Sequence, residues 1–287
     1  MKTHLECFPC FLRQTVIAVR LCTQDETFQI AVIKGVAEEI KTADATKPPA
    51  YTTTFLHRKI RQLLHKDPYE EIKTRYNKIA LSLYPELKKT TLNSQNPLVT
   101  AMKLAIAGNV IDFGIYTSID IKGTIEKALN QPLKVDDFLP FKQILDEKKE
   151  ILYLLDNAGE IVFDRLLIEE FLRLGIKVKA VVKGEPVLND STIKDADEVG
   201  LTEICEVIDN GSDCIGTIIE MTSEGFKREF ENASLIVSKG QGNFETLDYQ
   251  TAASSNTKKI CHLFQSKCEV VSRELGLPIG SMLIKLS

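Results

Sequence analysis

From about residue 150 to the C-terminus, one pattern of apolar and polar positions recurs along the chain. Short apolar runs, ILYLL (151–155), KVKAVV (177–182), ICEVI (204–208), SLIVS (234–238), KICHLF (259–264) and SMLIKL (281–286), are separated by polar turns. Longer amphipathic segments, such as EIVFDRLLIEEFLRL (160–174) and SEGFKREFENA (223–233), lie between them. Short apolar runs alternating with helix-length segments predict βαβ units and a mostly parallel sheet. The intervening lengths suit parallel crossovers.

The first 145 residues carry a different pattern. CFLRQTVIAVRLC, FQIAVIKGVAEEI, LHRKIRQLLHK, YEEIKTRYNKIALSLY and LVTAMKLAIAGNVIDFG space their apolar residues by three and four, the period of helices. TADATKPPAYTTT (42–54), rich in threonine and proline, reads as a loop between helices. The expectation is an α/β protein. A helical domain over residues 1–145 precedes a doubly wound, mostly parallel α/β sheet domain over 146–287.

Composition changes this picture little. At 287 residues the chain is long enough for one large domain or two, and 44% hydrophobic with 26% charged residues is ordinary for a soluble globular protein. A net charge of −4 gives no support to nucleic-acid or membrane-surface binding. No apolar run reaches the ~18 residues of a membrane span. The opening MKTHLECFPCFLRQ lacks a signal-peptide core, and seven scattered cysteines do not form a disulfide framework, so a reducing cytoplasm is expected.

Ligands of an open parallel sheet bind beyond the carboxyl ends of its strands. Each apolar run here is followed by polar residues: Asp156-Asn157-Ala158-Gly159-Glu160, then Asn189 and Asp190, then DNGSD, then KGQGNFE, then QSK. One such turn is ordinary turn chemistry; five at one predicted edge point to an active site. Carboxylate and amide oxygens without a histidine or cysteine cluster are hard donors, suited to Mg²⁺ or Mn²⁺ rather than zinc. The two glycines of KGQGN let backbone N–H groups approach an anion. Lys239 and Lys267 supply positive charge for a phosphate. KGQGN does not have Walker-loop spacing, and no GxGxxG follows the first strand. Ala158 stands where an aspartyl-nucleophile phosphatase would carry its second acid.

In order along the chain, ECFPCFLRQ, AGNVIDFG, DNAGE, GEPVLND, SKGQGNFETL and FQSKC resemble the metal-dependent damage-control phosphatase family, in its branch with an N-terminal CxxC. The resemblance implies metal ligands at Asp156, Asn157 and Asp190, with Glu160 contacting substrate. It implies a substrate-facing loop over Lys239, Gly240, Gln241, Gly242 and Asn243, and a phosphate-binding lysine at Lys267. Asn109 and Asp112 match a pattern on a helix packed over the site. The implied activity is hydrolysis of phosphate monoesters of small metabolites, sugar phosphates or damaged phospho-metabolites, with Mn²⁺, Mg²⁺, Co²⁺ or Ni²⁺. Either Asp156 or Asp190 orients the attacking water.

Two other readings compete: an S-adenosylmethionine-dependent carboxyl methyltransferase, which wants a glycine-rich turn after the first strand, and a non-catalytic metal- or phosphate-binding protein. Cys7 and Cys10 form a CxxC that, with His4 and Cys22, offers four zinc donors at awkward spacing on one helix. Buried helix cysteines are the favoured alternative.

Overall fold

In the computed structural model of the protein, residues 1–110, 121–253 and 258–287 are described. Five helices come first: α1 (Cys7–Cys22), α2 (Glu26–Lys41), α3 (Pro49–Leu64), α4 (Glu70–Leu92) and α5 (Pro97–Val110). They are followed by α6 (Ile121–Asn130), the short strand β1 (Val135–Asp136) and α7 (Phe138–Asp146). The alternating part then runs β2 (Glu150–Leu154), α8 (Glu160–Arg173), β3 (Lys177–Val182), α9 (Ile193–Glu198) and β4 (Glu206–Asp209). It continues with α10 (Glu224–Asn232), β5 (Leu235–Lys239), α11 (Gln241–Ala253), β6 (Lys259–Gln265), α12 (Glu269–Leu275) and β7 (Met282–Leu286). The predicted apolar runs are all strands. The chain is α/β, with one sheet that is parallel except where β6 meets β7.

The strand order is β1-β7-β6-β5-β2-β3-β4. The order reverses at β2. Its continuation through β3 and β4 builds one side of the sheet, and β5 returns to pair on the other. Side-chain alternation sorts β2 between two cores. Ile151, Tyr153 and Leu155 face the layer containing α4, α5 and α8, whereas Leu152 and Leu154 face Phe226, Phe230 and Leu247 of α10 and α11. The helix leaving β2 therefore lies on one face and the helix leaving β5 on the other. A crevice opens between them at the strands' carboxyl ends, where such folds bind ligands.

The larger core runs from Tyr76 to Ile284, and so includes residues on both sides of position 145. A smaller core of α1–α3 residues, among them Phe11, Val32, Leu56 and Ile60, packs with Val270 of α12. Two local readings need correction. The stretch 42–54 is a loop only to Pro48, because α3 starts at Pro49. Proline is well placed in a helix's first turn, where its missing N–H has no partner to lose. Thr53 and Thr54 donate their hydroxyls to the carbonyls of Pro49 and Ala50 at 2.9 and 2.8 Å, which lets them be buried in the helix. Cys10 is exposed although Cys7 is buried, and both are free thiols. His4 pairs with Glu274 at 3.0 Å. Among the described residues, no helix is long and apolar enough to cross a membrane.

Candidate active site

The turn after β2 and the loop after β3 are joined through their backbones. Ser191 N–H donates to the Asp156 carbonyl at 2.8 Å and Ala158 N–H to the Asn189 carbonyl at 2.8 Å. Asn157 and Asp190 form an antiparallel bridge between them. A third support comes from α4. The buried Asn77 accepts the Gly159 N–H at 2.7 Å and donates to Asp195 and Glu198 at 3.1 and 2.8 Å. The Asp156-to-Glu160 turn is thus held by the sheet, by the Asp190 loop and by a helix far away in sequence.

Its side chains form one connected network. Asn109, at the end of α5, donates Nδ2 to Asp156 Oδ2 at 2.7 Å and to Glu160 Oε2 at 2.6 Å. The close approach that allows this needs Gly108, where a Cβ would come within 2.9 Å of the Phe163 side chain on α8. Asn157 Nδ2 donates to the same two oxygens at 2.8 and 3.0 Å, leaving Oδ1 as the oxygen it can offer elsewhere. Behind them, the ammonium of Lys239 donates to Glu160 Oε1 at 2.7 Å, Asp164 Oδ1 at 2.5 Å and the Ala105 carbonyl at 2.9 Å. Tyr153 OH also donates to Asp164 Oδ1, at 2.7 Å.

Electrostatics divides this network into two parts. At the back, burial opposes charge on Lys239, but Asp164 and Glu160 outweigh it and push the ammonium up to about 12. Burial pushes the Asp164 carboxyl up to about 7 against the pull of Lys239. At the front, burial holds the Asp156 carboxyl well above the usual carboxylate range. Glu160 and Asp190 add to this, while Lys267 and Lys183 oppose it. Asp190, 3% exposed, is pushed up to about 6 by burial, with Lys183 pulling the other way. Apart from the Lys183 ammonium at 3.5 Å, the buried Asp190 Oδ2 has no hydrogen-bond partner. Lys183 also donates to the Gly216 carbonyl. The front therefore holds two carboxyls, Asp156 and Asp190, that burial disfavours as anions and that Lys183 and Lys267 only partly relieve.

That pair of carboxyls fits a divalent cation. Asp156, Asp190 and the Asn157 Oδ1 are hard oxygen donors, and the unpartnered Asp190 oxygen has a use in such a set. Among the described residues, no three His, Cys, Asp or Glu side chains group as a metal cage. The donor set is two carboxylates and an amide, which would leave several coordination positions to water or substrate, as Mg²⁺-type sites do. A cleft of about 360 Å³ opens beside it. Gln14 and Ile17 of α1, Tyr69, Ile72 and Tyr76 at α4, Gly108, Asn109, Asn157, Ala158, Leu188, Asn189, Gln265 and Lys267 line it. Lys267 is exposed there, with its backbone N–H held by Gln241 Oε1 at 2.9 Å.

A family model for the damage-control phosphatase ARMT1-like domain matches residues 3–283. The chain belongs to that family. It is similar to a damage-control phosphatase of Archaeoglobus fulgidus, 32% identical over all of this chain and 99% of that one. A damage-control phosphatase of Pyrococcus horikoshii is 32% identical over 98% of this chain and 97% of its own. An uncharacterized protein of Methanocaldococcus jannaschii is 41% identical over 98% and 94% of the two chains. Among solved structures, a DUF89 family protein from Pyrococcus horikoshii matches with a TM-score of 0.90 at 30% identity, covering 99% of this chain and 98% of that one.

Within this ARMT1-like domain, the residues singled out from sequence fall into three groups. Asp156, Asn157, Asp190 and Asn109 come together, and Lys267 lines the same opening. Glu160, 1% exposed, and Lys239, fully buried, stand behind the opening. Glu160 spends its oxygens on Lys239, Asn109 and Asn157, and Lys239 reaches none of the cleft, contrary to the phosphate contact expected of it. The loop that follows supports the site more than it faces it. The Gly240 N–H donates to the Leu263 carbonyl at 3.1 Å, so it is not free for an anion. Gln241 bridges Lys267 N–H and Glu245. Gly242 packs beside Gly216, and Asn243 donates to the Leu155 and Lys239 carbonyls at 3.2 and 2.8 Å. Asp112 lies outside the described residues.

Sequence reasoning missed Asp164, Asn77, Lys183 and Gln14. Asp164 had a signal, since it follows Glu160 by four residues on one helix face. Asn77 and Gln14 arrive from helices remote in sequence and had none.

Proposed function

We propose that this chain is a divalent-metal-dependent phosphatase that hydrolyses phosphate monoesters of small metabolites. The observation that carries the reading is the cluster of oxygen donors, half-buried Asp156 and Asn157 with buried Asp190, beside a cleft that presents Lys267. The damage-control phosphatase names of the relatives support it. Nothing comparable supports methyl transfer, because the turn after β2 is filled by acids and amides rather than the glycines expected around S-adenosylmethionine.

Asp156, Asn157 and Asp190 hold the cation, with Mn²⁺ or Mg²⁺ favoured and Co²⁺ or Ni²⁺ also suited to the donors. When bound, it supplies Lewis-acid stabilisation of charge on the phosphoryl oxygens. Lys267 pairs with a phosphoryl oxygen from the cleft side. Asp156 or Asp190 accepts a proton from the attacking water. Asn109 and Asn157, locked onto Glu160, fix the Asp156 carboxylate in place. The Lys239–Glu160–Asp164 group anchors that lock from behind.

The test is phosphate release from a panel of small phosphate esters, with Mn²⁺, with Mg²⁺ and with EDTA. Release is expected only with a cation. Asp156→Ala and Asp190→Ala are expected to lose the heat of Mn²⁺ binding in calorimetric titration while keeping the wild-type circular dichroism spectrum. Turnover unaffected by EDTA, or undiminished Mn²⁺ binding in both variants, would overturn the metal assignment.

A further inference from the structure

Gln14 and Asn109 both line the cleft, and each leaves its amide oxygen, Gln14 Oε1 and Asn109 Oδ1, buried without a hydrogen-bond partner. Asn109 is accounted for: its Nδ2 is committed to Asp156 and Glu160, which turns Oδ1 away from them beside the proposed metal donors. Gln14 lines the cleft but takes no part in the network around Asp156. It lies on α1, on the face shared with Cys10 four residues before and Ile17 three residues after, and Ile17 lines the same cleft. Its Nε2 donates to Cys10 Sγ at 3.4 Å, which sets the amide's orientation and leaves Oε1 as an acceptor looking for a donor.

The rest of the lining narrows what that donor is. Ile17, Ile72 and Leu188 are apolar, and Tyr69 and Tyr76 are aromatic, so this part of the cleft favours carbon over charge. Among the described residues, Lys267 is the only lysine or arginine lining it. Residues 111–120 and 254–257 contain neither. With Lys267 assigned to the phosphate, no cation is left for a carboxylate or a second phosphate on the substrate. An amide oxygen out of solvent selects a neutral donor, because a group without one leaves the acceptor unpaired at a cost. Gln265, whose Nε2 donates to the Gly280 carbonyl at 2.8 Å, is not among the side chains that leave a buried oxygen unpaired.

We infer that Gln14 is a specificity-determining residue, whose Oε1 accepts a hydrogen bond from a hydroxyl on the uncharged organic part of the phosphate ester. This rests on the phosphatase reading and adds to it a residue from the helical half of the chain. It also gives Cys10 a place, as the contact that orients the Gln14 amide.

The test compares two esters of similar size, glycerol 1-phosphate and propyl phosphate, with Mn²⁺ present. Wild-type protein is expected to prefer the hydroxylated ester by about tenfold or more in kcat/KM, the scale on which an unpaired buried acceptor discriminates. Gln14→Met keeps the length and removes the acceptor, so the preference should collapse toward unity, chiefly through a raised KM for glycerol 1-phosphate. Gln14→Glu keeps an acceptor oxygen and should retain part of the preference. A ratio unchanged in Gln14→Met, or a wild-type protein that turns over both esters equally, overturns the inference and leaves the phosphatase reading standing. If wild-type protein releases phosphate from no ester with any cation, both fall.

Discussion

The Cα of Gly240 lies directly against the carboxylate of Asp156. A Cβ built at Gly240 would stand 1.8 Å from Asp156 Oδ2, and the backbone there has φ +81°, which side-chain-bearing residues rarely adopt. The glycine follows β5 and the aspartate follows β2, the two strands at which the sheet order reverses. The place where the fold opens a crevice is therefore the place where only a glycine leaves room for the acid.

Gly240→Ala should displace Asp156 and weaken Mn²⁺ binding by at least about tenfold. It should also lower stability by ~1–2 kcal/mol through the left-handed backbone conformation alone. Calorimetric titration and urea denaturation measure the two effects separately. An alanine variant that binds Mn²⁺ as the wild type does would show that Asp156 can hold the cation from another position.

Lys239→Met should be the most destabilising change in the network. It leaves Glu160 and Asp164 buried without their cation, and removing one partner of a buried pair typically costs ~3–5 kcal/mol. The deficit should shrink at lower pH, as the abandoned carboxyls take up protons. Urea denaturation at pH 8 and pH 5.5 tests this. A deficit below ~1 kcal/mol at both values would mean that the buried pair contributes little.

The placement of Lys239 was open to reading from the chain alone. Strand alternation puts it on the same face as Leu235 and Val237, the face that α8 covers, so a lysine there had to be buried and paired. The glycines beside it drew the eye toward an anion instead. The strands themselves were legible because each is a compact apolar run. β1 was not, because Val135–Asp136 is too short to show a period and exists by pairing with β7. The start of α3 was hidden by its threonines, whose hydroxyls turn back to the helix carbonyls rather than to solvent. At the site, the residues carried by strand ends could be collected from sequence because topology gathers them. Asn77 and Gln14 could not, because their positions depend on how the helical half packs over the sheet.

Two buried histidines should make the protein acid-sensitive. Burial lowers both His57 and His262 from 6.5 to about 3, with Arg61 and Lys285 respectively adding to the effect. Below pH 6.5 the unfolded chain binds protons that the folded chain refuses, so each histidine lowers stability as pH falls from about 6.5 toward 3. The limiting slope is ~1.4 kcal/mol per pH unit for each. Asp164 and Asp190, raised by burial, work in the opposite direction over part of this range, so the effect is read by difference. Urea denaturation from pH 7 to pH 4 should show a shallower acid loss in His57→Leu and in His262→Leu than in the wild type. Parallel curves would mean that these imidazoles protonate without unfolding.

Lys267 tests the phosphate reading most directly. It stands just beyond β6 on the rim of the cleft, exposed, with its backbone fixed by Gln241 and its side chain making no ion pair among the described residues. Its charge still reaches Asp156, where it opposes the upward pressure on that carboxyl. Removing it takes a positive charge away from the proposed cation site, so Lys267→Met should bind Mn²⁺ at least as tightly as the wild type. Hydrolysis should fall because a charge-assisted contact to a phosphoryl oxygen is worth ~2–4 kcal/mol in the transition state, a rate loss of tens- to a thousand-fold. Lys267→Arg keeps the charge and should recover part of the rate. Metal affinity retained with activity lost is the pattern expected of a phosphate-binding lysine. A Lys267→Met variant that hydrolyses the best ester at the wild-type rate would mean that the phosphate sits elsewhere in the cleft.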